Sequence, residues 1–428
     1  MLTIRSNLHR RWQARALRWT YVLGVLALGG CALPRRAAPP TIFSTATPVG
    51  FPADVRFLST DRASVEAKST AALQRLRGSS KDGMLRALVL SGGGAGGAFG
   101  AGALVGLSRR QERPQYDVVT GVSTGALIAP FAFLGSDWDS QLTEAFTSGK
   151  GAQMSVQGLL ALPLGASRRG AALTALVDHY VTPDLIRAVA REAGNGRLLW
   201  VATTDLDKEE TVIWDLGAIA MRGGEPGRKL FRDVVVASAS IPGVFEPVLI
   251  HVQQGGLLYD EMHVDGNASA SLFIAPAAAY FAQLDQRSLD GAQVYVLING
   301  QIIDAPETTP FKLRPIVART FSAALKHMSR AQVVAVDQFA EKYRMSVQST
   351  YLPFDYPKYS SADFRASTMR PLFEYGARCA QSGRLWTTLD ETMDTVAAAA
   401  PAWNRTPTVD QEVECPLRDV QLTAGDRR

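Results

Sequence analysis

From Arg86 to about Gly300 the chain alternates short apolar runs with segments whose apolar residues recur at helical spacing. The runs are "RALVLS", "YDVVTGVS", "RLLWVATTDL", "TVIWDLG" and "AQVYVLING". Short continuous apolar runs read as buried strands, and the 3.6-residue period between them reads as helices. Such alternation predicts an α/β layered domain with a largely parallel sheet, spanning 85–300. Upstream, "RASVEAKSTAALQRLRG" predicts a helix at the margin of that body, within 56–84. Downstream, "RPIVARTFSAALKHMSRAQVVAVDQFAEKY" has long helical periodicity, "RMSVQSTYLPF" reads as a strand and "ASTMRPLFEYGARCAQSGRLW" as another helix. Residues 301–428 thus read as a C-terminal helical extension with a patternless tail from about Thr388. No internal repeat is visible.

A composition of 46% hydrophobic and 20% charged residues is that of a globular chain. The formal charge of +5 looks basic, but Arg5, Arg10, Arg11, Arg15 and Arg18 account for all of it and lie within the first 30 residues. The remainder is neutral, which removes the electrostatic support for a nucleic-acid partner. These arginines precede a short apolar core, "WTYVLGVLALGG", too short for the roughly 20 apolar residues that span a bilayer. The layout is that of a secretory signal. Ending in "LGGC", it resembles bacterial lipoprotein signals, in which the cysteine, here Cys31, becomes the lipidated first residue. Residues 1–30 are then the signal peptide and the Pro-, Ala- and Thr-rich 31–55 a lipidated tether. Ala32 stands where an aspartate would suggest inner-membrane retention, so the expected location is the outer membrane of a bacterial envelope. Cys379 and Cys415 remain as an even pair that an oxidising compartment would allow to bond, although nothing in the sequence shows that they meet. No Cys/His cluster has metal-ligand spacing, and no metal or organic cofactor is expected.

Three stretches carry chemistry. "LSGGGAGGAFGAG" puts a glycine loop between a strand and a helix N-terminus, where converging backbone N–H groups favour negative charge. Gly92, Gly94 and Gly97 also satisfy G-x-G-x-x-G, so the charge is either a dinucleotide pyrophosphate or a reaction oxyanion. "YDVVTGVSTGALIAPFAF" holds G-x-S-x-G as Gly121 to Gly125, again between strand and helix, the setting of a nucleophile elbow at Ser123. A serine nucleophile needs a base. His9 lies in the signal segment, His179 and His327 read as surface or boundary residues, and His251 and His263 flank a glycine turn outside the usual triad context. "HVDGNASA" offers a carboxylate instead, with Asp265 ending a strand and Gly266 allowing a tight turn.

Taken together, "GGGAGG", "GVSTG" and "DGN" resemble the patatin-like phospholipases. "ASASIPGVFEPV" is similar to that family's Ala-Ser-x-Ser-x-Pro segment, and "TTDLDKEETVIWDLGAIA" to a bacterial branch of it. The resemblance spans about Arg86 to Gly300. It implies a three-layer α/β/α fold and hydrolysis of acyl lipids, membrane phospholipid first among them. Residue by residue, it makes Ser123 the nucleophile and Asp265 the proton acceptor. Gly92, Gly93, Gly94 and Gly97 would form the oxyanion hole, with Gly121 and Gly125 in the elbow and Gly266 and Asn267 in the Asp-Gly motif. Gly96 stands where the family usually carries Arg or Lys. Asn267 stands where it usually has Gly or Ala, which would narrow the acyl channel or add a hydrogen bond. The alternatives are a dinucleotide site, for which Asp117 sits at the wrong end of its strand, a Ser-His-Asp esterase, and a catalytically silent envelope lipoprotein.

Overall fold

The computed structural model describes residues 35–43, 45–80, 82–155, 166–280, 284, 287, 289–303, 307–388, 391 and 413–417. The expected signal peptide and Cys31 lie outside them. In chain order the strands are β1 (Thr47–Pro48), β2 (Arg56–Leu58), β3 (Arg86–Leu90), β4 (Val118–Val122), β5 (Leu198–Asp205), β6 (Glu210–Asp215), β7 (Val248–Gln254), β8 (Leu257–Asp265), β9 (Gln293–Gln301) and β10 (Ser346–Leu352). The helices are α1 (Arg62–Leu76), α2 (Gly97–Arg109), α3 (Thr124–Leu134), α4 (Asp139–Thr147), α5 (Ala166–Tyr180), α6 (Pro183–Gly194), α7 (Leu216–Arg222), α8 (Gly224–Ser238), α9 (Leu313–Lys342) and α10 (Ala366–Gln381).

One sheet runs in the order β1-β7-β8-β5-β4-β3-β9-β10. Its core, β10-β9-β3-β4-β5, is parallel throughout. Beyond β5 the pairing turns antiparallel, through β8, β7 and β1 on one path and β6 and β2 on another. Both faces are covered, which is why the central strands read as unbroken apolar runs. The pleat divides them. Leu88, Leu90, Val119, Leu199 and Val201 enter one core with α2, α3, α5, α6, α8 and α10. Val89, Val122, Leu198, Trp200 and Ala202 enter the other, with α1 and the C-terminal end of α9. The architecture is therefore the three-layer α/β/α sandwich with a parallel centre.

Two stretches fit more closely than their sequences suggest. The C-terminal helical extension is part of the sandwich: β10 extends the parallel core and α10 lies backbone to backbone on α2. A Cβ at Gly102 would stand 1.9 Å from the Phe373 carbonyl oxygen, and one at Gly376 would stand 2.2 Å from that of Phe99. Only glycine permits this approach. Gly102→Ala is expected to cost about 3 kcal/mol, since the obstruction is backbone and cannot rotate away; a urea melt measures it. Cys379 and Cys415 are bonded to each other, fixing α10 to the described residues 413–417.

The stretch expected as a tether, 31–55, is packed from residue 35 onward. Arg35 pairs with Asp207 at 2.7 Å, the Arg36 N–H donates to the Asp260 carboxylate while its carbonyl accepts the Asp260 N–H, and β1 adds to the edge of β7. Phe51 and Val55 are buried. Proline-rich composition suits an extended strand on a sheet edge as well as a linker, because the contacts there are made by backbone.

Candidate active site

The site is built on two consecutive residues of β5. Val122, the last residue of β4, pairs with Ala202, and there β4 turns sharply into α3. The edge of β5 that it leaves is taken by the end of β8, with Asp265 opposite Thr203. Ser123 and Asp265 thus follow each other along one edge of one strand, although 142 residues separate them. The Ser123 hydroxyl donates to Asp265 Oδ2 at 2.6 Å, and both side chains are buried.

Ser123 occupies φ 55°, ψ −123°, a backbone region that side chains other than glycine's rarely adopt. The surroundings hold it there. Its N–H donates to Ser238 Oγ at 3.0 Å, and the Ser238 hydroxyl donates to the Ala202 carbonyl at 2.7 Å. The flanking glycines are required by contact: a Cβ at Gly125 would lie 2.4 Å from the Leu90 carbonyl, and one at Gly121 would lie 2.6 Å from that of Gly125. Ser238 comes from "ASASIPG", so that motif's first serine is a clamp on the elbow. Ser240 contributes its carbonyl, which accepts from the Asp265 N–H at 3.0 Å.

Asp265 Oδ1 accepts the Asn267 N–H at 2.8 Å. Burial pushes the Asp265 carboxyl up to about 7, against the hydrogen bonds from Ser123 and the Asn267 amide, which favour its charged form. No other charged group contributes to this shift. A carboxylate in a dry pocket is therefore half-ionised near neutrality, the range in which a general base works best.

Of the four loop glycines, two have committed amides. The Gly92 N–H donates to the Ser271 carbonyl, and that of Gly97 into its own turn at Ala95 and Gly94. Among the described residues the amides of Gly93 and Gly94 have no acceptor, and Gly94 lines the cavity beside Ser123. Gly93 and Gly94 thus keep uncommitted amides, and Gly92 and Gly97 shape the loop. For Gly97 the constraint is Thr124, whose Oγ1 would stand 2.0 Å from an added Cβ.

The loop is held by a residue that nothing in the motif reading singled out. Buried Asn299, near the end of β9, donates from its backbone N–H to Ser91 Oγ at 2.8 Å and from Nδ2 to the Ser91 carbonyl at 2.7 Å. Its own carbonyl lies against Gly93 and Gly96. A side chain at Gly96 would strike that carbonyl at 2.2 Å and the Tyr359 hydroxyl at 2.6 Å, so no cation fits where the family carries one. Asn267 packs against Gly92 and is not part of the cavity lining; its Oδ1 is buried without a partner.

Ser123 opens into an apolar cavity between α3, α5 and α8. Its walls include Leu127, Phe131, Met154, Leu173, Val177 and Phe245, and among the described residues no charged side chain or histidine lines it. Of the sequence-derived base candidates, His263 is buried among Thr203 and Glu261, and His251 faces Asp260. His179 meets Lys150. None of them hydrogen-bonds Ser123 or Asp265 among the described residues.

One set of described residues, Asp205, Glu261 and His263, lies close enough for a metal ion. Lys208 Nζ already bridges Asp205 and Glu261 at 2.6 and 2.7 Å, and Arg56 pairs with Glu261. Two cations neutralise two carboxylates there, so the cluster's chemistry is that of an internal ion-pair network.

An apolar cavity that ends at a carboxylate-bound serine, beside uncommitted backbone amides on an α/β/α frame, defines an acyl-ester hydrolase. Residues 88–278 match the family model for patatin-like phospholipases. That match supports hydrolysis of lipid acyl esters. The matched range stops before β9, so Asn299, β10 and α10 complete the site and sheet from beyond it. No curated protein matches the chain. Among solved structures it is similar to VipD from Legionella pneumophila at 14% identity, covering 70% of this chain and 67% of that one with a TM-score of 0.32. It is also similar to the type III effector protein ExoU at 15% identity, covering 74% and 61% with a TM-score of 0.20.

Proposed function

We propose that the protein is a Ser-Asp acyl hydrolase of membrane phospholipids, lipidated at Cys31 and held at the outer membrane of a bacterial envelope. The observation that carries the reading is the 2.6 Å bond to a buried Asp265 from the Oγ of Ser123, which lines an apolar cavity. In this reading an acyl chain fills the cavity and its ester carbonyl sits over Ser123. Asp265 Oδ2 takes the hydroxyl proton as Oγ bonds to the carbonyl carbon. The oxygen that becomes negative faces the Gly93 and Gly94 amides, preorganised donors that need no rearrangement. Collapse expels the alcohol, which takes the proton from Asp265. Water then repeats the sequence and releases the fatty acid. That no histidine among the described residues bonds Ser123 is chemically consistent, because burial gives the aspartate a basicity near that of imidazole. Only Ala32, Leu33 and Pro34 separate Cys31 from the packed Arg35, so a lipid there would keep the body against its membrane.

The test is fatty-acid release from mixed phospholipid vesicles, run beside labelling with an alkyl phosphonate ester. Release, together with a single adduct on Ser123, is the expected result; neither release nor adduct would overturn the reading. Cavity shape makes a second expectation. Val177→Phe fills part of the cavity wall, so the ratio of long-chain to short-chain ester hydrolysis should fall by about tenfold. An unchanged ratio would mean that the acyl chain lies elsewhere.

A further inference from the structure

The N-terminal part of α9 stands outside the packed body. Among the described side chains from Leu313 to Gln332 none is buried, and Val333 is the first that is. Phe311 is 99% exposed, Leu313 77% and Val317 58%, with Ile316 and Phe321 also exposed. Positions 313, 316, 317 and 321 share one face of a helix, and Phe311 leads into it. A cluster of large apolar side chains in water marks a surface that is covered in use.

Charge identifies what covers it. Between Phe311 and Val336 the sequence carries Lys312, Arg314, Arg319, Lys326 and Arg330 and not one acid. Glu307 lies nearby, but Lys358 and Arg319 share it. A second copy of this chain would set cations against cations. An anionic lipid surface answers both features, taking the apolar face into its acyl boundary and the exposed Lys312 among its phosphates. Position agrees. Through Glu307 this helix is joined to Lys358, in the segment whose Tyr359 hydroxyl packs on Gly96 and whose Ser361 carbonyl accepts the Ala95 N–H. The apolar face and the glycine loop are thus linked through this short series of contacts.

We propose that Phe311 and the exposed face Leu313, Ile316, Val317 and Phe321 of α9 dock the protein on anionic phospholipid surfaces. The purpose of this docking rests on the lipid-hydrolase reading; the binding itself does not. The experiment is co-sedimentation with vesicles of phosphatidylglycerol and phosphatidylethanolamine, against phosphatidylcholine alone. It uses the chain from Ala32 on, which keeps every described residue and lacks the apolar leader. Ser123→Ala is present throughout, so that no lipid is consumed. The expected result is salt-sensitive binding to the anionic vesicles, reduced about tenfold or more by Phe311→Glu with Val317→Glu. Lys312→Gln should weaken the preference for anionic lipid. In the active chain the glutamate pair should leave hydrolysis of a soluble short-chain ester unchanged, which reports an intact fold. Equal sedimentation of parent and glutamate pair, no parent binding, or indifference to anionic lipid would each overturn the proposal. So would a dimer, seen by light scattering, that the glutamate pair dissolves while vesicle binding persists. Vesicle binding without hydrolysis of any ester would sink the hydrolase reading and leave the docking standing.

Discussion

Asp265→Asn is expected to abolish activity and to stabilise the protein at once. Asparagine is isosteric; its carbonyl still accepts the Asn267 N–H, and its amide donates to Ser123 Oγ, reversing that one bond. It cannot take a proton, so kcat/KM should fall about a thousandfold or more. Stability moves the other way because the native site binds a proton more tightly than the unfolded chain does. The folded carboxyl titrates at about 7 and the ordinary value is 3.8. Between those values the native state keeps a proton that the unfolded state has released, so parent stability falls as pH rises through that window. Above it the cost is at most on the order of 4 kcal/mol, and asparagine escapes it. Thermal melts of both chains should therefore nearly coincide at pH 4, diverge up to pH 7 and run parallel beyond. Parent kcat/KM should rise with pH and reach half its plateau at about pH 7, where the base is half-ionised. Activity surviving in Asp265→Asn would return the base to a histidine.

Removing the hydroxyl of Ser123 should be still more damaging, and two replacements separate its chemistry from its backbone. Ser123→Ala and Ser123→Gly both lose the nucleophile, and each should retain less than about a ten-thousandth of parent kcat/KM. Only glycine is at ease at φ 55°, ψ −123°. Strain at such a position is worth about 1–3 kcal/mol, so the glycine variant should melt above the alanine variant by that margin. Both lose the same hydrogen bond to Asp265, and their difference reports the backbone alone. Equal melting points would mean that the elbow is relaxed in solution.

The alternation of apolar runs with helical segments already implied the layered α/β frame, because strands buried on both faces must be apolar at every position. Ser123, Asp265 and the glycine loop were legible for a related reason: an elbow, a strand-end carboxylate and a close-packed loop each restrict residue type locally. Other features left no local trace. Asn299 lies near the end of an ordinary strand and acts through its backbone and amide on a loop 208 residues away. Which glycine amides remain for an oxyanion depends on Ser271, far down the chain. Residues 35–55 look like a linker because a backbone-paired edge strand needs no apolar pattern. Similarly, α10 looks like an appendix because its fit to α2 lies in what Gly102 and Gly376 lack. The sequence by itself determined the layers and the chemical groups, since burial and turn geometry constrain residue types one by one. Only the tertiary structure decided that Ser123 and Asp265 touch. Their meeting requires β4 to stop at Ala202 and β8 to begin pairing at Thr203 of the same strand. That is a matter of register between distant segments, and no local preference encodes it.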